Sequence, residues 1–170
     1  LKISKKYQDT GKKVSVEKKN GETINLQGNH IIIATGAKSR VLPALPQDGK
    51  KIIGYRQAMT LKTQPKKIII VGSGAIGIEF AYFYNAMGSE VTIVEYLDRI
   101  VPVEDEEISK ALEVNFKKNG IKILTSSELI KADTKGKLVS ATIKNGKEEQ
   151  VLKADIILSA VGIKSNIENI

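Results

Sequence analysis

The residues in this sequence best suited to chemistry are three glycines, in the run Val71-Gly72-Ser73-Gly74-Ala75-Ile76-Gly77-Ile78-Glu79. Glycines at this spacing suit a chain that leaves a strand, turns under a pyrophosphate and starts a helix. Gly72 permits the tight turn. Gly74, with no side chain, lets a phosphate approach the backbone, and Gly77 lets the helix pack closely on the strand. The first turn of such a helix offers free N–H groups and a partial positive charge to an anion. Glu95 follows 23 residues after Gly72, at the end of the next apolar run. A carboxylate there accepts hydrogen bonds from the ribose hydroxyls of an adenosine and repels a 2′-phosphate, so the expected ligand is NAD(H) rather than its 2′-phosphorylated form. Arg99 is near in sequence, but Asp98 beside it dilutes its charge. Glu79 falls in the first helical turn, where the helix dipole alone favours an acid. Its spacing therefore does not separate a stabilising role from a ligand-facing one.

These residues need a frame. Lys67–Val71 reads as a buried strand, and Ala75–Met87 as a helix with Ile76, Phe80, Phe83 and Met87 on one face. Val91–Glu95 reads as a second strand. Asp105–Asn119 reads as a helix with Glu106 and Glu107 in its first turn, Lys117 and Lys118 at its far end, and Gly120 as its stop. Ile121–Thr125 is a third strand, Leu138–Leu152 an antiparallel ribbon and Ile156–Ser159 a last buried strand. Strands alternating with helices predict an α/β fold, a Rossmann-like parallel sheet with helices on its faces plus the antiparallel ribbon.

Composition narrows the function classes. Cysteine is absent, which excludes thiol catalysis, disulfides and zinc–thiolate sites within these residues. One histidine, His30, cannot build a metal cluster alone, so no metal is expected. No apolar run reaches the roughly 18 residues of a membrane span. The opening LKISKKYQDT does not read as a signal or transit peptide and lacks an initiator Met, so a trimmed, cytoplasmic chain is expected. The net charge of +8 is uneven. Residues 1–67 hold 15 Lys and Arg against 4 Asp and Glu, while residues 68–170 hold 12 against 15. The lysines are scattered singly and in pairs with few aromatics between them. They read as a solvated face rather than a nucleic-acid surface.

Two stretches resemble each other. Lys19-Asn20-Gly21 precedes a strand-like run and then Asn29-His30-Ile31-Ile32-Ile33-Ala34-Thr35-Gly36-Ala37-Lys38-Ser39. Lys144-Asn145-Gly146 precedes another and then Asp155-Ile156-Ile157-Leu158-Ser159-Ala160-Val161-Gly162-Ile163-Lys164-Ser165. The Asn-Gly pairs read as type I′ hairpin turns, and the apolar runs as buried strands ending at a glycine. Two tandem units follow from this, the second whole and the first present only as its closing hairpin and last strand. Residues 41–65, with three of the four prolines, read as a connector carrying a short strand at Lys51–Gly54 and a helical turn at Arg56–Leu61.

The run from Ile68 to Ile123, and VEYLDRIVP within it, resembles the NAD-binding domain of the dihydrolipoamide dehydrogenases, in the pyridine nucleotide-disulfide oxidoreductase family. HIIIATGAKSR is similar to the last strand of that family's FAD domain, and ILSAVGIKSN to the segment closing its NAD domain. The resemblance implies a domain division: 1–40 the end of the FAD domain, 41–65 a connector, 66–163 the NAD-binding domain, and 164–170 the return to the FAD domain. It implies that Gly72, Ser73, Gly74, Ala75, Ile76, Gly77, Ile78 and Glu79 line the NAD pyrophosphate and nicotinamide side, with Glu79 toward the flavin edge. Glu95 would hold the adenosine ribose, Leu129 would contact adenine, and Gly162 would lie beside the nicotinamide ribose. Thr35, Gly36 and Ala37 would touch FAD in an intact enzyme. The family often has an Arg and a Pro after the closing glycine, where Ile163, Lys164 and Ser165 stand here. The implied parent enzyme passes reducing equivalents from dihydrolipoamide through a disulfide and FAD to NAD, as a homodimer within 2-oxo acid dehydrogenase complexes. The redox cysteines, the FAD glycine loop and the His-Glu acid/base pair are not among these residues, so no catalytic residue is expected in this chain. A related flavoenzyme, such as an NADH oxidase or a mercuric-type reductase, shares the glycine loop and stays open. So does an NAD-sensing module.

Overall fold

A computed structural model describes residues 12–168. The chain divides into two compact units, one holding residues up to Lys38 together with Lys164 onward, the other Ser39–Ile163. In the first, β1 (Lys12–Glu17) and β2 (Thr23–Gly28) form an antiparallel hairpin. β3 (Ala37–Ser39) pairs with β12 (Ile163–Ser165). The second unit contains β4 (Ile52–Ile53), α1 (Tyr55–Ala58), β5 (Lys67–Val71), α2 (Ala75–Ala86), β6 (Glu90–Val94), α3 (Glu106–Lys118), β7 (Lys122–Leu124), β8 (Glu128–Asp133), β9 (Val139–Asn145), β10 (Glu148–Ala154) and β11 (Ile156–Ser159).

β4, β11, β5, β6 and β7 form, in that order, a five-stranded parallel sheet. The α/β class and the pairing of a parallel sheet with antiparallel strands agree with the sequence reading. Successive side chains of a strand point to opposite faces, so strands covered on both sides read as unbroken apolar runs. Ile68 and Ile70, Val91 and Ile93, and Ile156 and Leu158 enter one core with Tyr84 and Phe116 of the helices. Ile69 and Val71, Val94, and Ile157 enter a second core with Leu129, Val139, Ala141, Ile143 and Ala154. The helices thus cover one face, and β8–β9–β10 cover the other. That three-stranded layer is wider than the ribbon expected over Leu138–Leu152. β8 is not legible in the sequence because its exposed side is polar and a register shift between Leu129 and Lys131 breaks its alternation.

α3 ends at Gly120 as its sequence predicts, and it begins one residue later than expected, with Asp105 as its N-cap. The Asp105 carboxylate accepts from the Glu107 N–H at 2.8 Å, and Gly120 (φ +86) closes the helix as its N–H reaches the Lys117 carbonyl at 3.0 Å.

α2 packs through a different face than its hydrophobic periodicity predicts. Gly77, Ala81 and Tyr84 are buried, while Phe83 and Met87 are 51% and 57% exposed. The glycine loop brings this helix so close to the strand that a Cβ on Gly77 would lie 2.0 Å from the Gly72 carbonyl oxygen. Ala81 and Tyr84, one and two turns on, then face the sheet with Gly77, and Phe83 and Met87 are turned outward. The Tyr84 hydroxyl completes the contact by donating to the Ala58 carbonyl at 2.7 Å.

The repeated segment at Ile31–Ile33 is not a buried strand: Ile32 is 90% exposed and Ile33 59%. Ile156–Ser159, its counterpart, is buried because β4 and β5 flank it. Among the described residues no strand flanks Ile31–Ile33, and an isolated parallel strand has neither hydrogen-bond partners nor a core to enter. The turns also differ from expectation. Gly21 (φ +83) and Gly146 (φ +58) take positive φ, but neither Asn20 nor Asn145 does. The first hairpin closes with a five-residue loop in which the Lys18 N–H donates to the Glu22 carbonyl, and the second with Gly146 as the first of two loop residues. Residues 1–11 of the expected 1–40 segment, and 169–170, lie outside the described residues.

Candidate functional site

A cavity of about 930 Å³ opens at the carboxyl ends of β5, β6 and β11. β5 is where the strand order reverses, since its sequential partner β6 lies on one side and the last strand, β11, on the other. Such a switch point leaves a crevice because the connections leave the sheet in opposite directions.

Gly72, Ser73, Gly74, Ala75 and Ile76 line this cavity. The glycines serve different ends. Gly72 has φ +97, and a Cβ there would lie 2.6 Å from the Ala160 carbonyl oxygen. Gly74 is the N-cap of α2 with an ordinary extended backbone (φ −69, ψ −177), no side-chain cap, and nothing within 4 Å of a Cβ built on it. The first-turn N–H groups of α2 have no intrahelical partner by geometry. With no side chain capping them, they are available to an anion in the open space above Gly74.

Gly77, Ile78 and Glu79 are not brought to this cavity. A helix turns about 100° per residue, so by Gly77 the chain faces the sheet, and Ile78 packs against the core. Glu79 is exposed and lines a separate cavity of about 340 Å³ with Ala58, Met59, Phe80 and Phe83.

Glu95 lies just past β6 and is 7% exposed. One carboxylate oxygen accepts from the Ser73 N–H at 2.8 Å and from the Ser73 hydroxyl at 2.6 Å. The other accepts from the Leu97 N–H at 2.9 Å. The charged residues of the cavity wall are Glu95, Glu128 and Arg40. Arg99 is not among them: its guanidinium donates to the Pro102 carbonyl at 3.3 Å. Leu129 is both core and wall, being 4% exposed, packed in the second core and lining the cavity. Gly162 (φ +103) lines the cavity as well, and its carbonyl accepts from the Arg40 N–H at 3.0 Å.

Sequence reasoning missed the wall supplied by Arg40 and Leu42–Ala44, and by Tyr96, Leu97 and Ser127. The prolines around Leu42 signal a connector but not where it runs. Thr35, Gly36 and Ala37 belong to the first unit. The Thr35 hydroxyl donates to the Asn166 carbonyl at 2.5 Å, the Asn166 side-chain amide donates to the Thr35 carbonyl at 3.1 Å, and the Asn166 N–H donates to the Gly36 carbonyl at 2.9 Å.

A crevice at a switch point, a glycine loop, a helix N-terminus and a buried acid after the second strand are features of the Rossmann-like α/β fold. The sequence pattern of the pyridine nucleotide-disulphide oxidoreductase family matches residues 2–170, and the chain belongs to that family. It is 46% identical over 143 residues to a dihydrolipoyl dehydrogenase of Rhizobium etli, covering 83% of this chain and 30% of that protein. It is 42% identical over 161 residues to one of Chlorobaculum tepidum, covering 94% of this chain and 34% of that protein. The crystal structure of LpdA from Mycobacterium tuberculosis superposes with a TM-score of 0.80 at 27% identity, over 95% of this chain and 36% of that one. The chain thus spans about a third of the length of these relatives. The dihydrolipoyl dehydrogenases and their relatives in this family use NAD and FAD. No helix among the described residues is long and apolar enough to cross a membrane.

Proposed function

We propose that this chain is the NAD(H)-binding portion of a flavin-linked disulfide oxidoreductase, a dihydrolipoyl dehydrogenase. The complete enzyme would oxidise protein-bound dihydrolipoamide to lipoamide and reduce NAD⁺ by way of FAD and a redox disulfide. The observation that carries the dinucleotide reading is Gly74: a glycine whose backbone does not need glycine, facing open space at an uncapped helix N-terminus. A ligand that must touch the backbone accounts for it, and a pyrophosphate fits the charge and the N–H donors there.

In this reading Gly72, Ser73, Gly74, Ala75 and Ile76 surround the pyrophosphate. Glu95 accepts from a ribose hydroxyl, Leu129 lies against the adenine, and Gly162 borders the nicotinamide end. NAD⁺ itself supplies the hydride acceptor. The protein's part is to bind it, orient it and repel its 2′-phosphorylated form. Thr35, Gly36 and Ala37 form no cradle among the described residues, so contact with FAD is assigned to the complete enzyme. There, residues 1–40 and 164–170 would belong to the FAD domain, and 66–163, reached through the connector 41–65, to the NAD domain. Homodimer formation, membership of a 2-oxo acid dehydrogenase complex and a cytoplasmic location belong to the same proposal.

Calorimetric titration of the 170-residue chain tests the reading. Saturable one-to-one binding of NADH is expected, with no lipoamide-dependent NADH oxidation, since the chain contains no cysteine. Lipoamide-dependent turnover by this chain, or no binding of NADH at millimolar concentration, would contradict it.

A further inference from the structure

Ser73 occupies a variable position of the glycine motif, yet it is the most tightly held residue of the loop. It is fully buried. Its N–H and its hydroxyl both donate to the same oxygen of Glu95, and its carbonyl accepts from the Val101 N–H at 3.0 Å. Val101 is itself held at φ +40, a conformation a β-branched residue rarely adopts. A hydroxyl committed in this way is directed at Glu95 and not at a phosphate.

The consequence lies on Glu95. A carboxylate offers about four acceptor positions. Two on one oxygen are filled by Ser73 and one on the other by Leu97. One acceptor position therefore remains. The backbone of Glu95 is fixed as well, its N–H donating to the Leu124 carbonyl and its carbonyl accepting from the Ser127 N–H, both at 2.8 Å. The carboxylate can neither turn away from the cavity nor turn to present both oxygens to it.

We propose that Ser73 is a specificity-determining positioning residue, whose hydroxyl locks the Glu95 carboxylate so that it accepts from one ribose hydroxyl and repels a 2′-phosphate. This rests on the dinucleotide reading above. Without the hydroxyl, Glu95 keeps its backbone partners but gains freedom to rotate. NADH then loses a preorganised acceptor, and NADPH escapes part of the repulsion. Both changes lower the same ratio.

The test is the NADH-to-NADPH affinity ratio of the 170-residue chain, by calorimetry, in the unsubstituted protein, Ser73→Ala, Glu95→Gln and the double variant. Ser73→Ala should lower the ratio at least about fivefold, as expected for loss of a hydrogen bond to a charged group. In the Glu95→Gln background, Ser73→Ala should lower the ratio much less, since the charge is gone and only an amide oxygen remains to be aimed. Should Ser73→Ala fail to fold, Ser73→Gly removes the same hydroxyl and keeps the N–H. An unchanged ratio in the folded single variant overturns the proposal. So does an equal fall in the Glu95→Gln background, which would mean that Ser73 does not act through Glu95. Failure of the unsubstituted chain to bind NADH overturns the functional reading, and this inference with it.

Discussion

Replacing Gly74 by alanine separates ligand binding from folding at a single methyl group. The backbone at Gly74 (φ −69, ψ −177) is open to any residue, and nothing lies within 4 Å of the added Cβ. Losing glycine's flexibility in the unfolded chain favours the variant by about 0.4–1 kcal/mol. Alanine is a poorer N-cap than glycine by a similar amount. The net change in stability should fall within about 1 kcal/mol, or a shift in Tm below about 4 °C for a chain of this size. Binding should behave otherwise. The methyl occupies the space through which a phosphate must reach the α2 N–H groups. Loss of one or two hydrogen bonds to a charged group, at about 1.5–3 kcal/mol each, predicts at least a tenfold rise in the NADH Kd. The contrast is Gly77→Ala, whose Cβ would lie 2.0 Å from a carbonyl oxygen, and Gly72→Ala, at φ +97 and 2.6 Å from another. Both should lower Tm substantially before any question of ligand arises. Calorimetric titration and thermal unfolding of the three variants check this. A Gly74→Ala chain that binds NADH with unchanged affinity would refute the reasoning, because the open space above Gly74 would then not be where the pyrophosphate lies.

Glu95→Ala removes the acceptor for three donors, and NADH binding should weaken about tenfold or more, with a lower Tm; an unchanged dissociation constant would remove Glu95 from the site. Tyr84→Phe leaves the buried Ala58 carbonyl without its partner and should destabilise the fold by about 1–2 kcal/mol while NADH affinity stays constant. The Lys164 ammonium, hydrogen bonding to its own backbone, and Lys38 hold the Glu168 carboxyl down to about 2 from an ordinary 4.5. A carboxyl with a depressed pKa in the folded chain stabilises it above pH 4.5 and loses that contribution as pH falls toward 2. NMR titration of the Glu168 side chain should give the low midpoint, and Lys164→Ala should move it back toward 4.5.

Much of the fold is legible in the sequence because local chemistry and global packing agree. Ile68–Val71 and Ile156–Leu158 are apolar throughout, and only a strand covered on both faces makes sense of that. Asp105, Glu106, Glu107 and Gly120 mark the ends of α3 by cap and dipole chemistry that acts within a turn. The glycine spacing and Glu95 point to a dinucleotide by themselves, because the strand–turn–helix they need is local.

Only the tertiary structure decides what depends on neighbours remote in the chain. Ile31–Ile33 and Ile156–Leu158 are alike in composition, and flanking strands alone separate an exposed segment from a core strand. The burial of Gly77, Ala81 and Tyr84 in place of Phe83 and Met87 follows from how close α2 lies to the sheet, which no periodicity encodes. The motif assigns the three glycines separate roles, but only the packed chain sets the close approaches at Gly72 and Gly77 and the open space at Gly74. Ser73 looks like a spacer there, and its bond to Glu95 spans 22 residues. Spacing could show that a carboxylate stands at the site. The direction in which it points is set by side-chain hydrogen bonds across the crevice, which exist only once β5 and β6 lie side by side.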